Sequence, residues 1–115
     1  MYGFILTSVF LGALGQVLVK LGAVNLSFSG NIFKIIFDIL KNIPVMLGIT
    51  SYGVSFLIWI KVLSKVELSY AYPFVSLGYV LIMIFSYLVF KENITYLRII
   101  GVVFIIIGVI FISKS

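Results

Sequence analysis

The chain has 115 residues, of which 63% are hydrophobic and 10% are charged, with eight basic and three acidic residues. A water-soluble domain of this size could not cover so much apolar surface. Cysteine and histidine are absent, and no carboxylate pair or glycine-rich phosphate loop is visible, so we expect neither an enzyme nor a resident metal or cofactor.

Four runs without a charged residue predict four membrane-spanning helices. A 19-residue helix is about 28 Å long, which is close to the hydrocarbon thickness of a bilayer. The runs are Met1–Val19, Asn42–Ile60, Leu68–Phe90 and Ile99–Ser113. We therefore predict an all-α, multi-pass integral membrane protein in which residues 1–115 form a single four-helix domain.

The first helix, predicted from about Gly3 to Ala23, carries a small and polar stripe. Its members are spaced four residues apart and are Ser8, Gly12, Gln16 and Lys20. In one interpretation Lys20 extends to the lipid headgroups. In the other, Gln16 and Lys20 face a cavity and hold an anionic group, which the amide of Gln16 favours because a buried amide needs a partner.

The segment Ile32–Lys41 interrupts the pattern between the first and second spans. Apolar side chains surround Lys34, Asp38 and Lys41, which share one helical face. The segment is either a short helix in the membrane interface or the wet entrance of the second span. Asn42 can cap the helix that follows, and Pro44 lies where a first turn tolerates proline.

The second span ends near Leu63 and has a mildly polar face. Gly48, Ser51, Tyr52 and Ser55 form that face, whose small residues favour helix packing rather than contact with a substrate. We expect Trp59 to be an anchor in the membrane interface.

The third span, Leu68 to Phe90, contains a predicted helix break at Pro73, because proline removes an internal hydrogen bond. Tyr72, Ser76 and Tyr79 lie on one face beside it. Tyrosines near a helix end are typical of the aromatic belt. The alternative is that these three side chains line a polar pocket.

A turn from Lys91 to Thr95 precedes the fourth span, for which Thr95 is the expected N-cap. We expect Glu92 to accept backbone N–H groups at the start of that helix. The fourth span reaches about Ile112 and is almost free of polar groups. Its Gly101 and Gly108 form a stripe that permits close helix approach, and we predict that they form a dimer interface.

Several short motifs resemble the small four-helix members of the drug/metabolite transporter superfamily, which are EamA-like. In the second half they are Ala71-Tyr72-Pro73, Ser76-Leu77, Lys91-Glu92, and Gly101 with Gly108. In the first helix, Gly15-Gln16 followed by Lys20 is similar to the flippase subunits that move aminoarabinose-phosphoundecaprenol. The resemblance covers nearly the whole chain, although Val24–Lys41 matches poorly.

The resemblance implies a transporter subunit of a prokaryotic inner or plasma membrane. Its cargo would be a polyprenyl-phosphate-linked sugar or a related anionic lipid carrier, flipped across the bilayer. It would act as a homodimer or as a heterodimer with a sister subunit. The expected substrate-binding residues are Gln16, Lys20, Tyr72, Ser76 and Tyr79. No nucleic-acid partner is expected, because the basic residues lie scattered near span ends.

Two alternatives remain at the level of sequence. The first is a cation exporter of the small multidrug resistance type, whose first helix carries a membrane-embedded glutamate. Aligning Lys20 with the lysine of that family places Gly12 at the glutamate position, so the chain has no obvious coupling carboxylate. The second is a non-transporting membrane subunit that scaffolds a glycosyltransferase.

Overall fold

The computed structural model describes residues 2–115 and is helical throughout, apart from short connections. The helices are α1 (Tyr2–Ala23), α2 (Ile32–Lys41), α3 (Ile43–Leu63), α4 (Leu68–Ala71), a 3₁₀ turn (Tyr72–Val75), α5 (Ser76–Val89) and α6 (Tyr96–Ser113). Helices are the expected result, because a bilayer offers no water to bond an exposed backbone.

Four of the helical stretches are long and apolar enough to cross a membrane. They are Tyr2–Ala23, Ile43–Leu63, Leu68–Val89 and Tyr96–Ser113. The prediction of an all-α membrane protein with four spans is confirmed. The third span consists of α4, the 3₁₀ turn and α5 in succession.

The predicted helix caps are also in place. Asn42 accepts a hydrogen bond from the Val45 backbone N–H at 3.1 Å, and Pro44 lies in the first turn of α3. Thr95 accepts from the Arg98 backbone N–H at 3.3 Å and begins α6. The side chain of Glu92, expected to accept backbone N–H groups at this helix start, is instead paired with Lys20, at 3.8 Å from its ammonium.

Helix α2 is a separate short helix between the first two spans. The side chain of Asn31 caps it by accepting from the Lys34 backbone N–H at 2.9 Å, and none of its residues is buried. Asn42 ends α2 and begins α3, so the chain turns between them with no intervening loop.

Helix α1 is the centre of the bundle. It packs along α3 and also against α5, whereas the contacts of α6 are with α5 and the 3₁₀ turn. A core of buried residues joins the helices near the chain termini and consists of Ile5, Val9, Val62, Ala71, Phe74 and Val109. At the same end, the Tyr2 hydroxyl donates to the Ser113 carbonyl at 3.2 Å and hydrogen-bonds to the hydroxyl of Tyr70.

The α1–α3 interface is very close. A Cβ added to Gly15 would lie 2.8 Å from the carbonyl oxygen of Gly48, and one added to Gly48 would lie 2.6 Å from the carbonyl oxygen of Gly15. Only glycine at both positions allows the two backbones to approach so far. Asn42 strengthens one end of this interface by donating its side-chain amide to the Gly22 carbonyl at 2.9 Å.

Candidate functional site

A cavity of about 520 Å³ lies between α1, α3 and the third span. This volume is within the usual range of small-molecule sites, roughly 300–1,000 Å³. Its lining residues are Ser8, Val9, Gly12, Ala13, Gln16, Tyr52, Ser55, Phe56, Trp59, Tyr72, Val75, Gly78, Tyr79 and Ile82. Among the described residues, α1 packs on both α3 and α5, but α3 and α5 do not pack extensively on each other. The cavity therefore has α1 as its floor and is open at the side.

Two serines join the floor of the cavity to its α3 wall. The Ser8 hydroxyl donates to the Ser55 carbonyl at 2.8 Å, and the Ser55 hydroxyl donates to the Ser8 carbonyl at 2.6 Å. Both side chains are buried. This reciprocal pair satisfies two largely buried polar groups, and it holds α1 and α3 in a fixed register.

Five aromatic side chains dominate the walls of the cavity. They are Tyr52, Phe56 and Trp59 from α3, and Tyr72 and Tyr79 from the third span. All but Trp59 are exposed, and Trp59 is half-buried against the core. The walls therefore present accessible ring faces and tyrosine hydroxyls, together with the amide of Gln16 from the floor.

Three of the five expected substrate-binding residues meet in this cavity. Gln16, Tyr72 and Tyr79 all contribute to the lining. Ser76 is half-buried and is not part of the lining, and its hydroxyl donates to the Pro73 carbonyl at 2.5 Å. Its observed contact therefore stabilises the 3₁₀ turn of the third span.

Lys20 lies outside the cavity, toward the opposite end of α1 from Tyr2. Its ammonium is 3.8 Å from a carboxylate oxygen of Glu92 and 5.5 Å from the ring centre of Phe90. The Lys20 and Glu92 side chains are 50% and 39% exposed. The pair ties the end of α1 to the turn before α6. In that turn Lys91 adopts a positive φ of 54° and the Glu92 N–H donates to the Ser86 carbonyl at 3.1 Å.

Pro73 lies inside the 3₁₀ turn that separates α4 from α5. Proline has no N–H to donate, so the regular helical ladder cannot continue through this position. The turn lies beside the cavity, because Tyr72 and Val75 from the same segment line it.

Gly101 and Gly108 lie on α6, away from the cavity. A Cβ added to either one would meet no atom within 4 Å in the described part of the chain. The stripe is therefore a free surface of this subunit.

The sequence patterns missed four cavity residues on α3. Gly48, Ser51 and Ser55 do pack against α1, as expected, and the Ser51 hydroxyl donates to the Leu11 carbonyl at 2.8 Å. Tyr52 and Ser55 also face the cavity, as do Phe56 and Trp59. Their spacing of three and four residues placed them on one helical face, but nothing in the sequence showed which helix that face would meet.

No metal site is visible in the part of the chain that the structure describes. In residues 2–115, no three acidic side chains come together, and the chain has no histidine or cysteine to join them. The polar groups of the cavity are hydroxyls, one amide and backbone carbonyls, which suit binding and do not supply a nucleophile with a base.

The chain is similar to known transporters along its whole length. The family model described as the EamA-like transporter family matches residues 1–114. A "probable 4-amino-4-deoxy-L-arabinose-phosphoundecaprenol flippase subunit ArnF" of Photorhabdus laumondii is 38% identical, covering 99% of this chain and 98% of the relative. The protein of the same name from Yersinia enterocolitica is 32% identical over 94% of this chain and 89% of its own length.

A second kind of subunit is also similar. A "probable 4-amino-4-deoxy-L-arabinose-phosphoundecaprenol flippase subunit ArnE" of Pseudomonas fluorescens is 37% identical over 59% of this chain and 60% of its own length. No solved structure matches the chain.

Proposed function

We propose that this chain, which belongs to the EamA-like transporter family, is one subunit of a flippase for a polyprenyl-phosphate-linked sugar. The substrate would be 4-amino-4-deoxy-L-arabinose-phosphoundecaprenol or a closely related lipid, moved across the bacterial inner membrane. The protein is a multi-pass membrane protein of a transporter family, and in this proposal it carries out no covalent chemistry.

The observation that carries the proposal is the laterally open cavity in a chain similar to such subunits from end to end. A lipid-linked sugar is amphiphilic, so its headgroup needs a protein-lined path while its polyprenyl tail stays among the lipids. Because α3 and α5 are not packed together, the headgroup can occupy the cavity while the tail leaves through the side opening.

We propose that Gln16, Tyr72 and Tyr79 bind the sugar and that Lys20 binds the phosphate. Lys20 is one turn beyond Gln16 on α1, or about 6 Å along the axis. That spacing suits a phosphate joined directly to a sugar in the cavity. Glu92, which lies 3.8 Å from the Lys20 ammonium, would release it when the phosphate arrives, because the two anions would compete for the same ammonium.

Ser76 and Pro73 would have a different part in this proposal. The Ser76 hydroxyl donates to the Pro73 carbonyl, so the pair stabilises the 3₁₀ turn that contains Tyr72. A break of this kind allows the third span to flex while the cavity changes its access from one side to the other.

The subunit would act as a dimer, either with a second copy or with a sister subunit of the ArnE kind. The cavity is bounded by three spans only, so a partner is needed to complete the path. The open stripe of Gly101 and Gly108 is the surface proposed for that contact.

The test is transport of the labelled aminoarabinose lipid in proteoliposomes, by the chain alone and with a sister subunit. Lys20→Met removes the charge and keeps the stem, and we expect transport to fall roughly ten- to a hundredfold, as for loss of a charged hydrogen bond. Lys114→Met is the matched control, because Lys114 is exposed near the chain terminus. Absence of transport from both preparations would reject the proposal and favour the scaffold alternative.

A further inference from the structure

We infer that the cavity recognises the protonated amino group of the sugar headgroup through aromatic ring faces and the hydroxyl oxygens of Ser8 and Ser55, without a carboxylate. The inference rests on the proposed function and assigns one end of the substrate to one part of the site. The aromatic cavity takes the cationic amine of the sugar, and the phosphate lies outside it toward Lys20.

Charge is the first observation behind this inference. None of the fourteen lining residues is ionisable as an acid or a strong base, apart from the tyrosine hydroxyls. The three acids lie elsewhere: Asp38 is on α2, Glu67 precedes α4, and Glu92 is paired with Lys20. A bound ammonium would therefore meet no opposite charge, and a bound phosphate would meet no cation within the cavity itself.

Aromatic faces supply the attraction that a carboxylate would otherwise provide. An ammonium over the face of Trp or Tyr is held by the ring quadrupole, and the interaction strengthens when water is excluded. Tyr52, Tyr72 and Tyr79 are 49%, 62% and 46% exposed, so other parts of the chain cover each residue only in part. Trp59, the ring type that binds cations best, completes the set.

The buried serines point to the same kind of ligand. The hydroxyl protons of Ser8 and Ser55 are already donated to backbone carbonyls across the α1–α3 interface. Each hydroxyl oxygen can then only accept a further hydrogen bond. An ammonium has three protons to donate and no lone pair, so it matches a floor of acceptors better than a phosphate does.

The chain provides its own reporter for an experiment. Trp59 is the single tryptophan and lines the cavity, so its fluorescence reports occupation of this site. The full chain, purified with any subunit that accompanies it, is placed in nanodiscs of phosphatidylglycerol, which has no amine. Binding is titrated with the 4-amino-4-deoxy-L-arabinose lipid and with its L-arabinose analogue, in which a hydroxyl replaces the amine.

We expect the amino lipid to bind about tenfold more tightly than the hydroxyl analogue, which is the size of a partly desolvated cation–π contact. Tyr72→Leu should remove most of this preference, and Tyr72→Phe should keep it, because the ring stays while the hydroxyl is lost. Tyr87→Leu is the matched control. Tyr87 is on the same span, is 60% exposed against 62% for Tyr72, and does not line the cavity.

Four outcomes would overturn the inference. Equal affinity for both lipids would show that the amine is not recognised, while continued transport would leave the proposed function intact. Loss of the preference in Tyr72→Phe would assign recognition to the hydroxyl instead of the ring. If phosphatidylethanolamine added to the nanodiscs changed the Trp59 fluorescence as much as the amino lipid does, the cavity would be a site for ordinary phospholipid headgroups. If neither sugar lipid bound, the proposed function would fail together with the inference.

Discussion

Glycines lie on helix surfaces in two regions of this molecule, and their surroundings differ. In the α1–α3 interface, Gly15 and Gly48 are buried with backbone of the opposite helix against them. On α6, Gly101 and Gly108 have open space within 4 Å. In a bilayer, helices gain little from the hydrophobic effect and attract one another through close packing and hydrogen bonds. The glycines of the first region pack against another helix of the same subunit. Those of the second region have no such neighbour and are open to contact with another subunit.

The α1–α3 interface and α6 also differ in their polar side chains. The α1–α3 interface contains the reciprocal Ser8–Ser55 hydrogen bonds and the bond from Ser51 to the Leu11 carbonyl. Helix α6 has no polar side chain between Arg98 and Ser113. The difference indicates that α1 and α3 form the fixed half of the subunit. The position of α6 depends on apolar contacts, on the hydrogen bond from Tyr2 to the Ser113 carbonyl at its end, and on what its outer face meets.

The largest expected effect is on stability, from filling the α1–α3 interface. Gly48→Ala would place a Cβ 2.6 Å from the Gly15 carbonyl oxygen, so the two helices must separate. We expect the free energy of unfolding to fall by about 1–3 kcal/mol. Denaturation in mixed micelles, followed by circular dichroism, measures this.

Gly53→Ala is the matched control on the same helix, because a Cβ there would meet no atom within 4 Å in the described chain. It should leave stability unchanged or slightly raised. If the two variants were equally stable, the close contact between α1 and α3 would not contribute to folding.

The second prediction concerns the open stripe. Gly101→Leu combined with Gly108→Leu should weaken subunit association at least about tenfold, or about 1.4 kcal/mol, because the added side chains prevent close approach. The thermal stability of the separated subunit should change little, since both positions are open within it. Cross-linking in membranes measures the association. Cross-linking that persists undiminished would place the dimer interface on another face.

A smaller effect on stability is expected from the loss of one hydrogen bond in the α1–α3 interface. Ser55→Ala removes the bond to the Ser8 carbonyl and leaves the Ser8 hydroxyl bonded to the backbone of residue 55. Stability should fall by about 0.6–1.5 kcal/mol. Thr50→Ala is the control, because the Thr50 hydroxyl bonds the Met46 carbonyl of its own helix at 2.9 Å. If the free energy of unfolding fell as much or more in the control, hydrogen bonds between α1 and α3 would stabilise the protein no more than hydrogen bonds within α3.

The smallest effect is expected at the ion pair that joins α1 to the turn before α6. Lys20 and Glu92 are 50% and 39% exposed, so water and salt screen their attraction. A double-mutant cycle of Lys20→Met and Glu92→Gln should give a coupling of about 0.2–1 kcal/mol that shrinks as salt is added. Coupling above about 2 kcal/mol would show that the pair is desolvated and that this end of the bundle is closed.

Features that depend on neighbouring residues along the chain could be predicted from the sequence. The four spans follow from the lengths of the uncharged runs, and the caps at Asn42 and Thr95 follow from polar side chains that stand directly before apolar helices. Helix α2 was one of two interpretations of Ile32–Lys41, and its caps on both sides decide in favour of a separate helix.

The candidate site was only partly predictable. Gln16, Tyr72 and Tyr79 were expected together and do line one cavity. Trp59 was assigned to the membrane interface, yet it forms part of the cavity wall, because an aromatic ring near a span end suits either environment. The contact of Lys20 with Glu92 joins residues 72 positions apart, and no local pattern indicates it.

The sequence by itself determined the class of the protein, the number and limits of its spans, and the polar residues available to a site. These properties depend on hydropathy, length and capping, which act over one or two helical turns. The tertiary structure alone decided which glycines are enclosed, which serines bond each other, and which aromatic rings face a common cavity. The spans are apolar over most of their surface, so their rotation is set mainly by contact with helices that are distant in the sequence.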